Sequence, residues 1–206
     1  MSSPSAGLLD DAGKAGRTRA RILEVAQREA SIGGIDGLTI GALASACGLS
    51  KSGLNAHFGS KEALQVAVLD AVAERFTREV AMPVARVPVG RSQLVAIMER
   101  WLSWSDDPDR PGGCQLIAAS FDFDALDGPV RDQLACWIEA WRSAIRAAVE
   151  AANEAENASL DPQATTSLAF GLYTSQHIER FLLDDPTAMS RARAAWAKLI
   201  DAQPDR

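Results

Sequence analysis

The residues best suited to binding another molecule lie between Thr39 and Lys61, where small and polar side chains surround a few apolar ones. Leu54 and Phe58 are one helical turn apart, so both point inward if this segment is a helix. The opposite face carries Lys51, Ser52, Gly53, Asn55, Ala56 and His57. The exposed surface of this helix is therefore small and polar.

Capping residues on both sides of this region predict two short helices joined by a tight turn. Thr39 can cap the first helix through its hydroxyl, and Gly48 can end it because glycine adopts the left-handed conformation at little cost. Ser50 is placed to cap the second helix. The pattern is typical of a helix-turn-helix. It also occurs at the corners of helical bundles that bind no DNA, so the capping pattern alone leaves both interpretations open.

The complete run G-L-S-K-S-G-L-N-A-H-F-G-S-K-E-A-L over residues 48–64 is more specific. It resembles the helix-turn-helix signature of the TetR family of bacterial transcriptional repressors. The positions that fit are Gly48, Ser50, Gly53, Leu54, His57, Phe58, Ser60, Lys61, Glu62 and Leu64. One position departs, because Asn55 stands where the family usually has a tyrosine that contacts phosphate. The close resemblance covers about residues 17–66, and the remainder resembles the family in its helical layout.

The resemblance implies a set of residues that contact double-stranded operator DNA. They are Lys51, Ser52, Gly53, Asn55, Ala56 and His57 on the second helix, with Thr39 and Lys61 at helix starts and Arg17 before the first helix of the head. Asn and Lys side chains can pair with adenine and guanine, and free N–H groups at helix starts favour phosphate. For Arg17 the alternative is a solvated helix start, and for His57 it is packing between helices.

Charge and composition describe a protein with a mildly basic head and an acidic body. The 206 residues carry a net charge of −6, yet residues 1–61 contain seven Lys and Arg against five Asp and Glu. Three widely spaced cysteines indicate reduced thiols in a cytoplasm rather than disulfides or a metal site. No apolar run approaches the roughly 20 residues that span a bilayer, and the first residues lack an apolar signal core. We expect a cytoplasmic protein without a membrane partner.

Helical periodicity without any strand-like alternation predicts an all-α fold. We expect a disordered tail over residues 1–16, a helix-turn-helix DNA-binding domain over 17–60, and a helical effector-binding and dimerisation domain over 61–206. A helix from Lys61 to Phe76 should join the two domains and end in the stretch that contains Pro83 and Pro88. Further helices are predicted from Arg91, Cys114, Pro129 and Pro162, with a last one after Asp185 and Pro186 that ends near Ile200.

The body is rich in aromatic residues, and the resemblance implies an effector pocket among its middle helices. The predicted lining is Met98, Trp101, Cys114, Ile117, Phe121, Trp141, Tyr173 and His177. Such a lining suits a small apolar or planar molecule with one or two hydrogen-bonding points. The alternative is that these aromatic residues are ordinary core, since aromatics at helical spacing usually are.

The resemblance also implies a homodimer, in which the last two long helices pack against their counterparts in a second subunit. Residues 169–183 are apolar on more than one face, which a dimer interface or a monomeric core would explain. Two heads related by a twofold axis match operator half-sites about 34 Å apart.

Together these observations predict a ligand-responsive DNA-binding transcriptional regulator, a repressor that its effector releases from the operator. Two isolated histidines without a Glu-x-x-His pair offer little to bind a metal, and no Ser-His-Asp set or Gly-rich phosphate loop is present. We expect no catalytic residues, metal or cofactor. The alternatives are a small all-α enzyme and a dimeric interaction module that binds no DNA.

Overall fold

Helices form the whole framework of the computed structural model, which describes residues 4–201 and their side chains from residue 15 onward. No strand occurs within this range, in agreement with the predicted all-α class. The helices are α1 (Pro4–Gly33), α2 (Ile40–Cys47), α3 (Lys51–Phe58), α4 (Lys61–Phe76), α5 (Met82–Ala85), α6 (Arg91–Ser105), α7 (Gln115–Asp122), α8 (Pro129–Glu156), α9 (Pro162–Phe181) and α10 (Ala188–Asp201).

Helix α1 begins much earlier than the sequence predicts. The predicted tail covers residues 1–16, of which residues 1–3 lie outside the described range, and α1 starts at Pro4. Proline is favoured at the first helical position, and the alanines and leucines that follow are strong helix formers. These residues extend the helix despite the glycines at positions 7, 13 and 16.

The first three helices make a small head around one apolar cluster. Ile22 and Ala26 of α1 pack with Leu43 of α2 and Leu54 of α3, and all four are almost fully buried. This contact fixes the orientation of α3, so that its polar face remains on the surface.

Helix α4 leaves the head and does not end where the prolines predict. A π-helical segment, Thr77–Ala81, follows it directly and continues into α5. Within this segment the N–H of Met82 donates to the carbonyl of Thr77, five residues earlier. The hydrogen-bond register has therefore shifted before Pro83, which falls in the first turn of α5, where its missing N–H is not needed. The predicted break occurs only after α5, around Pro88.

The body packs α6 at its centre, in contact with α8, α9 and α10. Trp101 of α6 stacks on Tyr173 of α9 at 4.1 Å and meets Trp141 of α8 edge-on at 5.7 Å. Two turns earlier on α6, the carbonyl of Leu94 accepts from the indole N–H of Trp196 at 2.7 Å. These contacts join α6, α8, α9 and α10 into one core.

Two helix boundaries in the body differ from the prediction. Helix α8 continues to Glu156 and ends at Asn157 in the left-handed conformation, so the predicted polar break is shorter. Helix α10 begins at Ala188 rather than at Pro186, because Asp185 forms a turn before it. Its carboxylate accepts from the backbone N–H and the hydroxyl of Thr187 at 2.8 and 2.7 Å.

The head and body share a continuous apolar core that runs along α4. A shared core does not mark where one domain ends and the next begins, so the domain boundary predicted between residues 60 and 61 stays a prediction. Within the described range, no helix combines the length and apolarity that crossing a membrane requires.

The turn before α10 generates a prediction about stability and pH. Hydrogen bonds from Arg191 and Thr187 lower the pKa of Asp185 from 3.8 to about 2. Because this pKa is lower in the folded state, the stabilisation is present above about pH 4 and is lost as the pH falls toward about 2. Asp185→Asn should therefore weaken the dependence of the urea midpoint on pH in that interval.

The matched control is Asp184→Asn, because the neighbouring Asp184 carboxylate makes no hydrogen bond or ion pair with the described residues. It removes the same charge without removing a hydrogen bond. Equal effects of the two substitutions would contradict the assignment to Asp185.

Candidate nucleic-acid interface and effector cavity

The helix-turn-helix is built by the caps that the sequence predicts. The hydroxyl of Thr39 accepts from the N–H of Ala42 at 3.2 Å, and that of Ser50 accepts from the N–H of Gly53 at 3.0 Å. Gly48 takes the left-handed conformation with φ of 66° at the end of α2. The turn geometry thus follows from local side-chain chemistry, and the capping predictions are confirmed.

Helix α3 presents a small polar surface to solvent. Lys51, Ser52, Asn55 and Ala56 are exposed, whereas Gly53 and His57 are partly buried. The inner face holds Leu54 and Phe58 in the core of the head. Four of the six sequence-predicted contact residues on α3 are therefore exposed.

Of the three arginines in the sequence R-T-R-A-R of α1, two serve the internal structure of the head. Arg19 donates to the carbonyl of His57 at 2.6 Å, and its guanidinium lies 4.3 Å from the ring centre of Phe58. Arg21 donates to the carbonyl of Cys47 at 3.4 Å. Arg17 is exposed and makes no ion pair with the described residues. It is therefore the one of the three that is available to a phosphate.

Lys61 has an internal partner as well. Its ammonium lies 3.0 Å from the carboxylate of Asp36, and this hydrogen bond lowers the pKa of Asp36. Both side chains are largely exposed, and such a pair contributes little stability. A phosphate can thus compete with Asp36 for Lys61.

In the body, a cavity of about 110 Å³ lies between α4, α6, α7 and α8. We call it the body cavity. Its lining is almost entirely apolar: Ala73, Phe76, Thr77, Ala81, Trp101, Cys114, Leu116, Ile117, Trp137, Ile138, Ala140, Trp141 and Ala144. Four sequence-predicted residues are among them, namely Trp101, Cys114, Ile117 and Trp141.

The other four predicted residues do not line the body cavity. Phe121 is 58% exposed at the end of α7, and its place in an effector pocket stays a prediction. Met98 is buried core, and Tyr173 lies behind Trp101. His177 packs beside Phe181 at 4.9 Å, and burial lowers its pKa. Helical spacing identified most of the buried residues, Phe121 being the exception, but did not distinguish core from cavity.

Tyr173 belongs to a buried polar cluster next to the cavity. Its hydroxyl shares a hydrogen bond with the hydroxyl of Ser105. Burial raises the pKa of Tyr173 well above its ordinary value and also raises that of the Cys114 thiol. Both groups are therefore neutral, and the cavity that Cys114 borders carries no charge from them.

Two lining residues that the sequence analysis missed connect the cavity to the head. Phe76 meets Trp141 edge-on at 5.1 Å. The indole N–H of Trp137 donates to the carboxylate of Asp70 on α4 at 2.9 Å, and Gln133 donates to the same oxygen at 2.6 Å. Trp137 precedes Trp141 by four residues, and this i, i+4 aromatic pair was the available signal.

Helix α4, which enters the head, thus lines the body cavity through Ala73 and Phe76 and is also held to α8 through Asp70. At the other end, Gln65 of α4 donates to the carbonyl of Ile35 in the head at 3.1 Å. A helix-turn-helix head, joined by one shared helix to a helical body with an apolar cavity, defines a DNA-binding regulator of the ligand-responsive class.

Family models assign the chain more narrowly. The model for the N-terminal domain of bacterial regulatory proteins of the tetR family matches residues 22–68, and that for the tetracyclin repressor-like C-terminal domain matches residues 90–196. The chain belongs to the TetR family of transcriptional regulators, which are not enzymes. A comparison with curated proteins finds no match.

Solved structures share the fold over nearly the whole chain. A TetR transcriptional regulator from Chloroflexus aurantiacus J-10-fl is 25% identical, with 92% of this chain and 97% of that chain covered and a TM-score of 0.83. AibR, in complex with isovaleryl coenzyme A and operator DNA, is 18% identical, with coverage of 88% and 97% and a TM-score of 0.70. A regulator from Saccharomonospora viridis in complex with choline is 20% identical, with coverage of 93% and 100% and a TM-score of 0.77.

The α3 cap generates a prediction about the stability of the head. Ser50→Ala removes the acceptor for the N–H of Gly53 and should lower the free energy of unfolding by about 1 kcal/mol. Ser52→Ala is the control, because the exposed Ser52 hydroxyl bonds to that of Ser50 and, among the described residues, accepts from no backbone N–H. Urea denaturation followed by circular dichroism measures both. An equal loss in the two variants would refute the capping role.

Proposed function

We propose that this protein is a homodimeric transcriptional repressor that acts in the cytoplasm and leaves its operator when a small molecule occupies the body cavity. The observation that carries the proposal is the exposed polar face of α3, held in place by the Thr39 and Ser50 caps and by Arg19. A dimeric interaction module that binds no DNA would not require an exposed polar face on a capped helix of this kind.

For DNA recognition, we assign base contacts to the exposed side chains of α3 and phosphate contacts to its surroundings. Asn55 can pair with adenine, Lys51 with guanine, and the methyl of Ala56 can meet that of thymine. Arg17, Thr39 and Lys61 are assigned to phosphate, together with the free N–H groups at the starts of α2 and α4. His57 is partly buried, and its carbonyl already accepts from Arg19, which favours a packing role.

A stripe of exposed small and apolar residues along α9 supports the homodimer. Its members recur at intervals of three and four residues: Ala164, Leu168, Gly171, Ser175, Ile178 and Leu182. Leu182 is 74% exposed and Leu168 is 48% exposed. A stripe with this spacing is the seam along which helices pack side by side. With the neighbouring long helix α8, it would form the four-helix interface that the sequence predicts.

Release of the operator would depend on Asp70. An effector that enters the body cavity displaces Trp137, and Trp137 together with Gln133 holds α4 through Asp70. Displacement of α4 then moves Lys61 and the head, which changes the spacing of the two recognition helices. The effector acts only through its different affinity for the two arrangements.

Two substitutions separate phosphate contact from base contact. Lys61→Ala should weaken binding to all DNA sequences and reduce the slope of log affinity against log salt by about one, whereas Asn55→Ala should change the preferred base at one position. Fluorescence anisotropy measures the affinity and its salt dependence for two duplexes. One is the binding site obtained by selection from a random library, and the other is a duplex of unselected random sequence. Lys198→Ala on α10 is the charge-matched control far from the head. Identical behaviour of Lys61→Ala and Asn55→Ala would overturn these assignments.

The coupling can be tested without knowing the effector. Ala73 of α4 is 2% exposed and lines the body cavity, so Ala73→Leu fills part of it and should mimic a ligand. Operator affinity should fall by about fivefold or more, the usual range for coupling between sites. Ala135→Leu at an exposed position of α8 should have no effect, and thermal melting should show that each variant remains folded.

In an Asp70→Ala background the effect of Ala73→Leu should shrink. The new leucine acts by displacing Trp137, and without Asp70 the displaced Trp137 no longer holds α4. Glu74→Ala is the control background, since this exposed carboxylate on α4 makes no hydrogen bond or ion pair with the described residues. An undiminished effect in Asp70→Ala would exclude Asp70 as the link.

A further inference from the structure

A second contact, in addition to α4, joins the head to the body. It lies between the last two turns of α1 and the segment that leads from α6 into α7. The side-chain amide of Gln115, the first residue of α7, donates to the backbone carbonyl of Gln27 at 3.1 Å. One turn further along α1, Gly112 lies so close to Ser31 that a β-carbon at Gly112 would overlap the carbonyl oxygen of Ser31. The segment from Gly112 to Gln115 therefore supports α1 directly.

The side chain of Gln115 is explained by this contact rather than by packing. The residue is 4% exposed, and its amide oxygen makes no hydrogen bond with the described residues. An unpaired buried acceptor is unfavourable, and an apolar side chain of the same length would avoid that cost. Departures of this kind from good packing are expected at functional sites. What the amide gains in return is its hydrogen bond to α1.

The residues on either side of Gln115 belong to the body cavity. Cys114 precedes it, and Leu116 and Ile117 follow it; all three are buried and line the body cavity. The first turn of α7 therefore contacts both the cavity and α1. A ligand that displaces this turn also moves the donor of Gln115.

Arg110 anchors the preceding loop to the walls of the same cavity. It is 3% exposed and donates to the carbonyl of Trp104 at 2.9 Å and to the carboxylate of Asp107 at 2.6 Å. Its guanidinium lies 3.5 Å from the ring centre of Trp104 and 3.5 Å from the carboxylate of Glu79. The loop is thus tied to α6 and to the π-helical segment, and both of these contribute residues to the body cavity.

We propose that Gln115 is a positioning residue that couples the body cavity to the head through α1. In the arrangement that binds the operator, its hydrogen bond to Gln27 holds α1 in place. An effector in the body cavity displaces the first turn of α7, this hydrogen bond breaks, and α1 is no longer held by the body. The route is separate from the one through Asp70 and α4. It rests on the proposed function, because it requires both an operator and an effector.

A pair of substitutions of similar size tests the role of Gln115. Gln115→Met keeps the length of the side chain but removes the donor, and should lower operator affinity by about fivefold or more without any effector. Gln93→Met is the matched control, because Gln93 is 9% exposed and its amide donates to the carbonyl of Val84 within the body at 3.3 Å. This control should leave the affinity unchanged in fluorescence anisotropy with the selected duplex. Equal losses in the two variants, or no loss in Gln115→Met, would overturn the proposal.

A pair of glycines tests the same contact without altering the amide. Gly112→Ala places a β-carbon against Ser31 and should displace α1, with a loss of operator affinity similar to that of Gln115→Met. Gly33→Ala is the control, because nothing lies within 4 Å of a β-carbon at that position. Neither glycine has a positive φ, so backbone strain does not distinguish them. Thermal melting shows that each variant is folded, and wild-type affinity in folded Gly112→Ala would contradict the proposal.

Double variants test whether the two routes are separate. If α1 and α4 are coupled to the cavity independently, the fold losses of Asp70→Ala and Gln115→Met should multiply. The part of the Ala73→Leu effect that remains in the Asp70→Ala background should disappear when Gln115→Met is added. If no part remains in Asp70→Ala, or if it persists in the presence of Gln115→Met, Gln115 does not carry a second route.

The failure of this inference is distinguishable from that of the proposed function. Absence of operator binding by the wild-type protein refutes the proposed function and, with it, this inference. Normal operator binding by both the wild type and Gln115→Met refutes only this inference.

Discussion

One helix carries the hydrophobic core of the head into that of the body, and the rest of the molecule depends on that constraint. Leu64 and Val68 of α4 are fully buried, and Phe76 at its other end meets the tryptophans of the body. Separating head from body would expose this apolar surface at a cost of about 25 cal/mol per Å². The two parts therefore move with α4, and a displacement at one end of the helix is transmitted to the other.

The π-helical segment extends the helix that begins with α4 further into the body. Without a shift in hydrogen-bond register, Pro83 would lose a bond and clash with the preceding turn. With the shift, the helix passes Pro83 and reaches Ala85. One continuous helical stretch therefore runs from the head along the body cavity. The sequence analysis took Pro83 as a stop because a proline's effect depends on a register that only the folded backbone sets.

Features decided within a few residues were predictable, and features decided across the fold were not. The caps at Thr39 and Ser50 depend on one hydroxyl and the N–H three residues later, and they were predicted correctly. Core and cavity residues share the same helical spacing, so the sequence could not distinguish Met98, which is buried core, from Trp137, which lines the body cavity. Arg19 could not be told from Arg17 by sequence, because its partners, His57 and Phe58, lie some 40 residues away.

The distribution of charge in the head indicates that one head alone binds DNA weakly. Arg19 and Arg21 donate to carbonyls of the head, and Lys61 is paired with Asp36. That leaves few unpaired cations to neutralise phosphate, on a chain whose net charge is −6. Linking two weak heads makes the second binding event intramolecular and raises overall affinity by about two to four orders of magnitude, but only when their spacing fits the DNA. A small change in spacing then removes most of the affinity, so the modest charge of each head is what makes the dimer responsive to its ligand.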